Sequence, residues 1–442
     1  MNILTFFTTQ TPFKFFIENV WRDEAYSVVL SKQSWIELFF YTAKDFNPPL
    51  YYLILKIWML IFGSSAISIR MISVLCFILF LYVIFLFLKN ILRVPQHYTY
   101  GYLILFLMNP ILQYYAFEAR MYMMFVLLSS LSIYTFLKKD IKLYIIFTCA
   151  GLYTHYFMVF VIFIEFIHHL ITHKKNVFLK HFVYYLYPII IFIPWIIFVA
   201  IYKQFTDGKF WIEKPLQIDF LHVPAYIYTG YERPFNYLIE NNLHIYSDLA
   251  LFSSVLIFAV LAYLLFNKHN RFNSLFVILA VWGLGIPYMI HMVSFIQPIF
   301  LPRYLIFTTP GLILLFIYSI EQIPQYLKVS ILTVLLFFTF SYGTIQIQHR
   351  TRDTFETLFK TINHEAKNGD VVYVTDALFY FVAEYYFKID KVYIYNIDYG
   401  SIPSYTGKSL IPASHVTNML PPYPIRAFVI TGQHEYHIVS QP

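Results

Sequence analysis

Long apolar stretches recur along this chain, divided by short polar breaks. Those at about 66–88, 98–117, 118–137, 181–203, 248–266, 272–293, 303–320 and 328–343 each approach the ~20 residues that a helix needs to cross a bilayer. The stretch 141–171 lies between two basic clusters, Lys138, Lys139 and Lys142 before it and Lys174, Lys175 and Lys180 after it. One long helix would put a cluster on each side of the membrane, against the bias that gathers Lys and Arg in the cytoplasm. Two short helices turning near His155-Tyr156 return both clusters to one side, and the expected total is then about ten spans. After Asn47 the pattern predicts a further helix to about Phe62, apolar nearly all round and too short to span, with Asn47 as N-cap and Pro48 in the first turn. It reads as a juxtamembrane helix lying at the interface, with Lys56 snorkelling to water.

From about residue 350 the apolar runs stop and charge returns. Residues 353–367 carry Phe355, Leu358, Phe359, Ile362 and Ala366 on one face, the mark of an amphipathic helix. Asn368-Gly369-Asp370 ends it, and 371–375 reads as a buried strand. A second helix at about 377–387 and strands at 392–395 and 427–431 follow. The expected fold is therefore an all-α polytopic membrane protein with a small extracytoplasmic α/β domain. Its parts are an outer first segment at 1–65, a multi-span part at 66–343 and the C-terminal domain at 344–442.

Composition narrows the class. The 442 residues are 59% hydrophobic and 12% charged, about half the charged share of a soluble globular protein. That excludes a soluble enzyme, a disordered chain and a nucleic-acid binder, all of which need more polar surface. Glycine, at 13 residues, is too scarce for glycine-faced helix pairs to organise the fold. Cys76 and Cys149 both fall in apolar runs, which suits neither a metal cluster nor a disulfide framework.

Charge becomes informative once it is assigned to sides. Alternating from the two lysine clusters puts Lys89, Arg93, Lys268, Arg271 and Lys328 in the cytoplasm with them, accompanied by the acids Asp140 and Glu321. The outer side receives 1–65, the turn at Phe117-Glu118, the loops 204–247 and 294–302, and the chain after about 344. Nearly all the unusual polar residues fall there, as an extracytoplasmic active site in a multi-pass plasma (inner) membrane protein would require.

Three outer features carry candidate chemistry. Asp23-Glu24, with Arg22 beside them, and Asp45 ahead of Asn47-Pro48-Pro49-Leu50-Tyr51-Tyr52 would be carboxylates at the membrane surface. Glu118-Ala119-Arg120-Met121-Tyr122 joins two spans with almost no loop, so its Glu and Arg sit at the hydrocarbon boundary, where ionisable groups are costly and tend to be functional. Pro302-Arg303-Tyr304 opens a span, and an Arg there either binds phosphate or anchors at headgroups; Arg70 has the same two readings. His155 and Tyr156 mark the outer turn of the short helix pair.

Asp23-Glu24, Asp45-Phe46-Asn47-Pro48-Pro49-Leu50-Tyr51-Tyr52, Phe62-Gly63 before Arg70, Glu118-Ala119-Arg120-Met121-Tyr122 and Pro302-Arg303-Tyr304 together resemble the glycosyltransferase C (GT-C) superfamily. They are most similar to the bacterial relatives of dolichyl-phosphate-mannose-protein mannosyltransferases and aminoarabinose transferases. The resemblance spans about residues 20–320. It implies transfer of a sugar from a polyprenyl-phosphate donor to a glycan, lipid or protein acceptor at the extracytoplasmic face, with inversion. The family's catalytic Asp-Glu pair falls on Asp23 and Glu24. Asp23 is expected as general base on the acceptor hydroxyl or amine. Glu24 and Asp45 are expected to orient it or bind sugar, and Arg120 and Arg303 to meet the lipid phosphate. Asn47, Tyr51, Arg70, Glu118, Tyr122, His155 and Tyr304 complete the expected substrate-binding set.

Two departures stand out. Many members have His where this chain has Asn47. The family also carries a complete span before the Asp-Glu pair, whereas 1–20 holds Thr8, Thr9, Gln10, Thr11, Lys14, Glu18 and Asn19 and is too polar for one. Either the chain starts downstream of that helix or the helix is lost. No cofactor is expected, and without an Asp-x-Asp spacing no divalent metal is demanded. The partners are then the lipid-linked donor, the acceptor and membrane lipids, with no nucleic acid. A transporter or flippase would place ionisable groups near the midplane in two related halves, and no halves occur. A sensor with an outer ligand-binding domain would leave the membrane carboxylates unexplained.

Overall fold

The computed structural model describes residues 3–172, 175–203, 211–217, 219–231, 245–266, 273–350, 355–387, 391–432 and 435–441. Lys174, Lys268, Arg271, Asp353 and most of the loop 204–247 lie outside these residues. The chain folds as two compact units. One comprises Met1–Phe15, Ile72–Ile196 and Phe210–Arg350; the other comprises Phe16–Met71, Ile197–Lys209 and Thr351–Pro442.

Apolar helices dominate the chain, as the repeated hydrophobic stretches predict. Among the described residues, four are long and apolar enough to cross a bilayer: Ala66–Asn90, Val183–Tyr202, Ser274–Val293 and Gln325–His349. Other expected spans appear as shorter apolar helices, among them Tyr122–Leu137, Ile141–Leu152, Met158–Thr172, Leu251–Tyr263 and Ile306–Ile320. The stretch 141–171 is indeed two helices, turning at Tyr153–His155 and Tyr156-Phe157.

The first unit shows how proline and glycine edit a hydrophobic pattern. Where one span at 98–117 was expected, helices Gln96–Leu107 and Pro110–Ala116 are separated by Met108-Asn109. Pro110 has no N–H and disfavours helical backbone at the residue before it. Asn109 fills the gap: its side-chain oxygen accepts Leu112 N–H at 3.2 Å and its amide donates to Tyr228 O at 2.9 Å. In Ser274–Val293 the ladder widens to a π turn at Val281–Gly285, just before Pro287, whose ring would crowd the Gly283 carbonyl in a regular helix. The widened turn packs closely on the helix Thr309–Ile320. A Cβ on Gly283 would come within 2.4 Å of Leu312 N, and one on Gly311 within 2.5 Å of the Trp282 ring. One glycine-faced contact therefore exists despite the scarcity of glycine. Trp282, fully buried, donates to Phe307 O at 2.7 Å and keys the same contact.

In the second unit the helices Arg22–Lys32, Trp35–Lys44 and Leu50–Phe62 fold together with the C-terminal α/β part. Helix Leu50–Phe62 does not start where the sequence reading put it. Asn47 is not its N-cap; Pro49 holds that place. Two consecutive prolines keep both Asn47 and Pro48 out of helical backbone, so the helix waits for the second. Its outer face leaves Ile57, Leu60, Ile61 and Phe62 exposed, as an interfacial helix would. Lys56 does not snorkel. It donates to Ser31 O at 3.3 Å and to Gln33 O, capping the carbonyl end of helix Arg22–Lys32.

The C-terminal sheet runs β3-β2-β1-β4-β5, with β1 Val371–Val374, β2 Val392–Tyr395, β3 Val416–Thr417, β4 Ala427–Ile430 and β5 Tyr436–Val439. β1 pairs in parallel with β2 and β4, β2 with β3, and β5 is an antiparallel edge. The three expected strands are its centre. β3 and β5 carry no apolar run, because edge strands are too exposed to need one. Helix Phe355–Glu365 buries Phe355, Leu358, Phe359 and Ile362, the face that the periodicity predicts. Gly407, at φ +84°, lets the chain lie against helix Arg22–Lys32: a Cβ there would stand 2.8 Å from the rings of Phe381 and Tyr26.

Candidate active site

The candidate residues of the second unit sit at the start of helix Arg22–Lys32, in the turn after Trp35–Lys44, and, for Tyr51 and Arg70, near the starts of helices Leu50–Phe62 and Ala66–Asn90. Asp23 and Glu24 occupy the first helical turn, where the macrodipole favours negative charge, but they point to different environments. Glu24 is fully buried and receives Arg70 as a fork, Nε to Oε1 at 2.8 Å and Nη2 to Oε2 at 2.6 Å. Arg70, also fully buried, donates further to Phe16 O at 2.9 Å, Glu18 O at 2.5 Å and Asn19 O at 2.9 Å. Its donors thus tie the strand of chain before the helix to the helix itself. Asp23 remains 28% exposed, with Arg22 Nε 3.8 Å from its carboxylate.

Asp45 is bound on both oxygens. Tyr26 donates its hydroxyl to Oδ2, and Ser409 donates to Oδ1 at 2.6 Å. Asn47 turns its amide back to Asp45 O at 3.3 Å. Tyr51, fully buried, meets Tyr52 edge-on at 5.6 Å, and Tyr52 meets Tyr26 at 6.4 Å. Asp45, Asn47 and Tyr51 therefore belong to one network centred on Tyr26. Neighbouring bonds hold the C-terminal part to the same segment: Val20 N–H donates to the Tyr386 hydroxyl at 2.9 Å, and Tyr385 donates to Ser64 O at 2.9 Å.

The candidates of the first unit gather at three breaks between its helices. Residues 117–121 form a tight turn in which Arg120 N–H donates to Glu118 O at 2.8 Å, and Ser73 donates to the same carbonyl at 2.5 Å. Glu118 is fully buried. The Arg120 guanidinium lies over the Tyr122 ring at 5.9 Å. Tyr122 stands 6.3 Å from His155 and 6.4 Å from Tyr304, and His155 lies 5.9 Å from Tyr304. Arg303, 5% exposed, lies 5.1 Å over Trp211 and 6.0 Å over Tyr304. Arg120, Tyr122, His155, Arg303 and Tyr304, drawn from three separate stretches of sequence, thus form one aromatic and cationic cluster.

His155 is a wall of that cluster and not a base. Its ring stacks on Phe125 at 4.7 Å and 9°. Its Nδ1 accepts Phe157 N–H at 3.1 Å, leaving the proton on Nε2. Burial and the positive charge of Arg120 hold its pKa down to about 3, so the ring is neutral at physiological pH. Among the described residues, no three His, Cys, Asp or Glu gather to hold a metal ion.

The sequence reading missed Tyr26, Ser409 and Trp211. Nothing periodic marks them; their only signal is a polar or aromatic side chain in a stretch that ought to be loop or core.

The structure is similar to that of ArnT from Cupriavidus metallidurans in the apo state, with a TM-score of 0.51 and 11% identity over 97% of this chain and 91% of that one. No protein-family model matches the chain, and no curated protein matches it in sequence. At such identity the likeness concerns the fold alone.

Proposed function

We propose that this protein is a membrane glycosyltransferase that moves a sugar from a polyprenyl-phosphate donor to an acceptor hydroxyl or amine at the extracytoplasmic face. The reading is carried by the division of roles between adjacent carboxylates: Glu24 buried on Arg70, Asp23 part-exposed on the same helical turn. A carboxylate fixed by a bidentate Arg is a positioning device. One that keeps access to solvent is suited to take a proton. The membrane fold supports a lipid-linked donor, and the Arg120–Arg303 cluster supports a phosphate partner.

In the transfer, Asp23 accepts the acceptor's proton as its oxygen or nitrogen attacks the anomeric carbon. The bond from that carbon to the phosphate oxygen breaks, and the polyprenyl phosphate leaves with the electron pair. A single displacement inverts the anomeric centre. Arg120 and Arg303 stabilise the charge gathering on the departing phosphate. Glu24 and Arg70 fix the helix that presents Asp23, while Asp45 with Asn47 and Tyr51 shapes the adjoining turn. The acceptor is a glycan, a lipid or a protein. The site belongs on the outer face of the plasma (inner) membrane, with the lysine clusters in the cytoplasm.

Mass spectrometry of cell-envelope glycans and glycolipids from a deletion strain names the missing sugar and its acceptor together. With those in hand, the purified chain is expected to release polyprenyl phosphate in step with product. Movement of an intact lipid across a vesicle membrane, with no glycosidic bond made, overturns the proposal in favour of a flippase.

A further inference from the structure

A cavity of about 260 Å³ lies among helices of the first unit and shares no residue with the cluster of Arg120, Tyr122, His155, Arg303 and Tyr304. It sits at the end of Tyr122–Leu137, the start of Ile141–Leu152 and the end of Met158–Thr172. His155 stands at the other end of the last two helices, about 18 Å along a helix of 12 residues. The cavity walls are rings packed at tilted and edge-to-face angles. Phe136 packs on Tyr144 at 6.0 Å, His168 at 5.6 Å and Tyr185 at 6.3 Å, and His169 lies 5.9 Å from Tyr185. Lys139, an exposed residue, also lines it.

We propose that this cavity binds the phosphate head of an anionic membrane lipid. Its polar lining consists of an ammonium, two imidazoles and tyrosine hydroxyls, and includes no carboxylate. Of the nearby acids, Asp140 caps Leu143 N–H at 3.2 Å, and Glu165 lies behind the lining, its carboxyl bonded to the Ser132 hydroxyl at 2.8 Å and beside that of Tyr144. The remaining lining is apolar, which suits the first carbons of a lipid better than a hydrated free anion. A volume below the ~300–1,000 Å³ of pockets that enclose whole small ligands takes a headgroup and leaves the acyl chains in the bilayer. Basic pockets between membrane helices recognise lipid phosphates in this way.

Lys139 supplies a clean test. It holds the left-handed place after a helix, at φ 59°, with Lys139 N–H bonded to Phe136 O at 3.0 Å and Asp140 N–H to Thr135 O at 2.9 Å. Glycine is the residue that this motif favours. Lys139→Gly therefore removes the ammonium while easing the backbone, so lost binding cannot be blamed on misfolding.

The full chain, purified in detergent, is titrated with dioleoylphosphatidylglycerol or dioleoylphosphatidylcholine and read by native mass spectrometry. The wild type is expected to retain a single phosphatidylglycerol in preference to phosphatidylcholine, and Lys139→Gly to lower that affinity about fivefold to tenfold. Inorganic phosphate is expected to compete only in large excess. Equal retention of the two lipids, or unchanged affinity in Lys139→Gly, overturns the proposal. Displacement by phosphate at matching concentration overturns the lipid source and assigns the cavity to a soluble anion.

Discussion

Charge is held differently at the carboxylates of helix Arg22–Lys32 and its neighbouring turn, in the second unit, and at the arginine cluster of the first. In the second, charges are neutralised in place. Glu24 and Arg70 meet at 2.6 Å with both side chains fully buried, and Asp45 is held by Tyr26 and Ser409. At the arginine cluster two cations lie on rings: Arg120 over Tyr122, and Arg303 over Trp211 and Tyr304. A paired carboxylate has its geometry fixed and its charge spent. A guanidinium resting on a ring is held through its face, and its in-plane N–H fork has the shape that phosphate accepts. Under the proposed function the carboxylates serve construction and proton transfer, and the arginines serve anion binding.

Breaking the buried pair is the sharpest test. Arg70→Ala leaves Glu24 buried and uncompensated, and the chain is expected to lose about 3–5 kcal/mol of stability. Replacing both partners, as Glu24→Leu with Arg70→Met, is expected to recover most of that loss. Unfolding in detergent measures both, and an unchanged midpoint in Arg70→Ala would remove the pair's structural role.

The neighbour of Glu24 is expected to behave differently. Asp23→Asn keeps the side chain's size and its place on the helix but cannot take a proton. Turnover with purified donor and acceptor is expected to fall at least ~10²-fold, with donor binding and the unfolding midpoint unchanged. Near-native turnover would pass the role of base to Glu24 or Asp45.

In the arginine cluster the expected loss is in binding. Arg303→Ala should weaken the polyprenyl-phosphate donor about tenfold to a hundredfold, the worth of charge-assisted hydrogen bonds. Lys should restore only part of it, lacking the planar fork. An affinity unchanged by Arg303→Ala would leave the comparison without its second half.

The smallest effect concerns pH. Burial pushes the Asp370 carboxyl up, but Arg426, at 2.6 Å, and the backbone N–H groups of Lys367 and Arg426 outweigh it and hold its pKa below 3.8. A carboxyl lowered on folding adds stability above its unfolded pKa, and that stability is lost as pH falls through the folded value. Between pH 5 and 3 the wild type is expected to lose stability more steeply than Asp370→Asn, as followed by unfolding midpoints. Equal slopes would mean that this pair contributes nothing.

Much of the architecture could be read from local pattern. Hydrophobic length is a property of consecutive residues, so membrane character and the apolar helices followed directly from it. The lysine clusters around 141–171 were enough to predict a turn at His155 because one helix would have split them across the bilayer. The face of helix Phe355–Glu365 and the central strands were equally legible, the helix from its 3.6-residue period and the strands from short apolar runs of neighbouring residues. Local pattern misjudged the places where proline intervenes: the break at Asn109-Pro110 and the delayed start at Leu50.

The candidate site was legible as a set of residues, while their roles were decided by the fold. Sequence placed Asp23 and Glu24 side by side as equals. Only packing decided that Glu24 would meet Arg70, 46 positions on, and that Asp45 would be held by Ser409, 364 positions on. It also decided that Arg303 would rest on Trp211 and that His155 would be a neutral wall beside Tyr122. A residue's place on its helix follows from its own neighbours in the chain. What that side chain meets depends on which distant segment arrives there, and burial then determines whether its charge is spent in holding the fold or kept for chemistry.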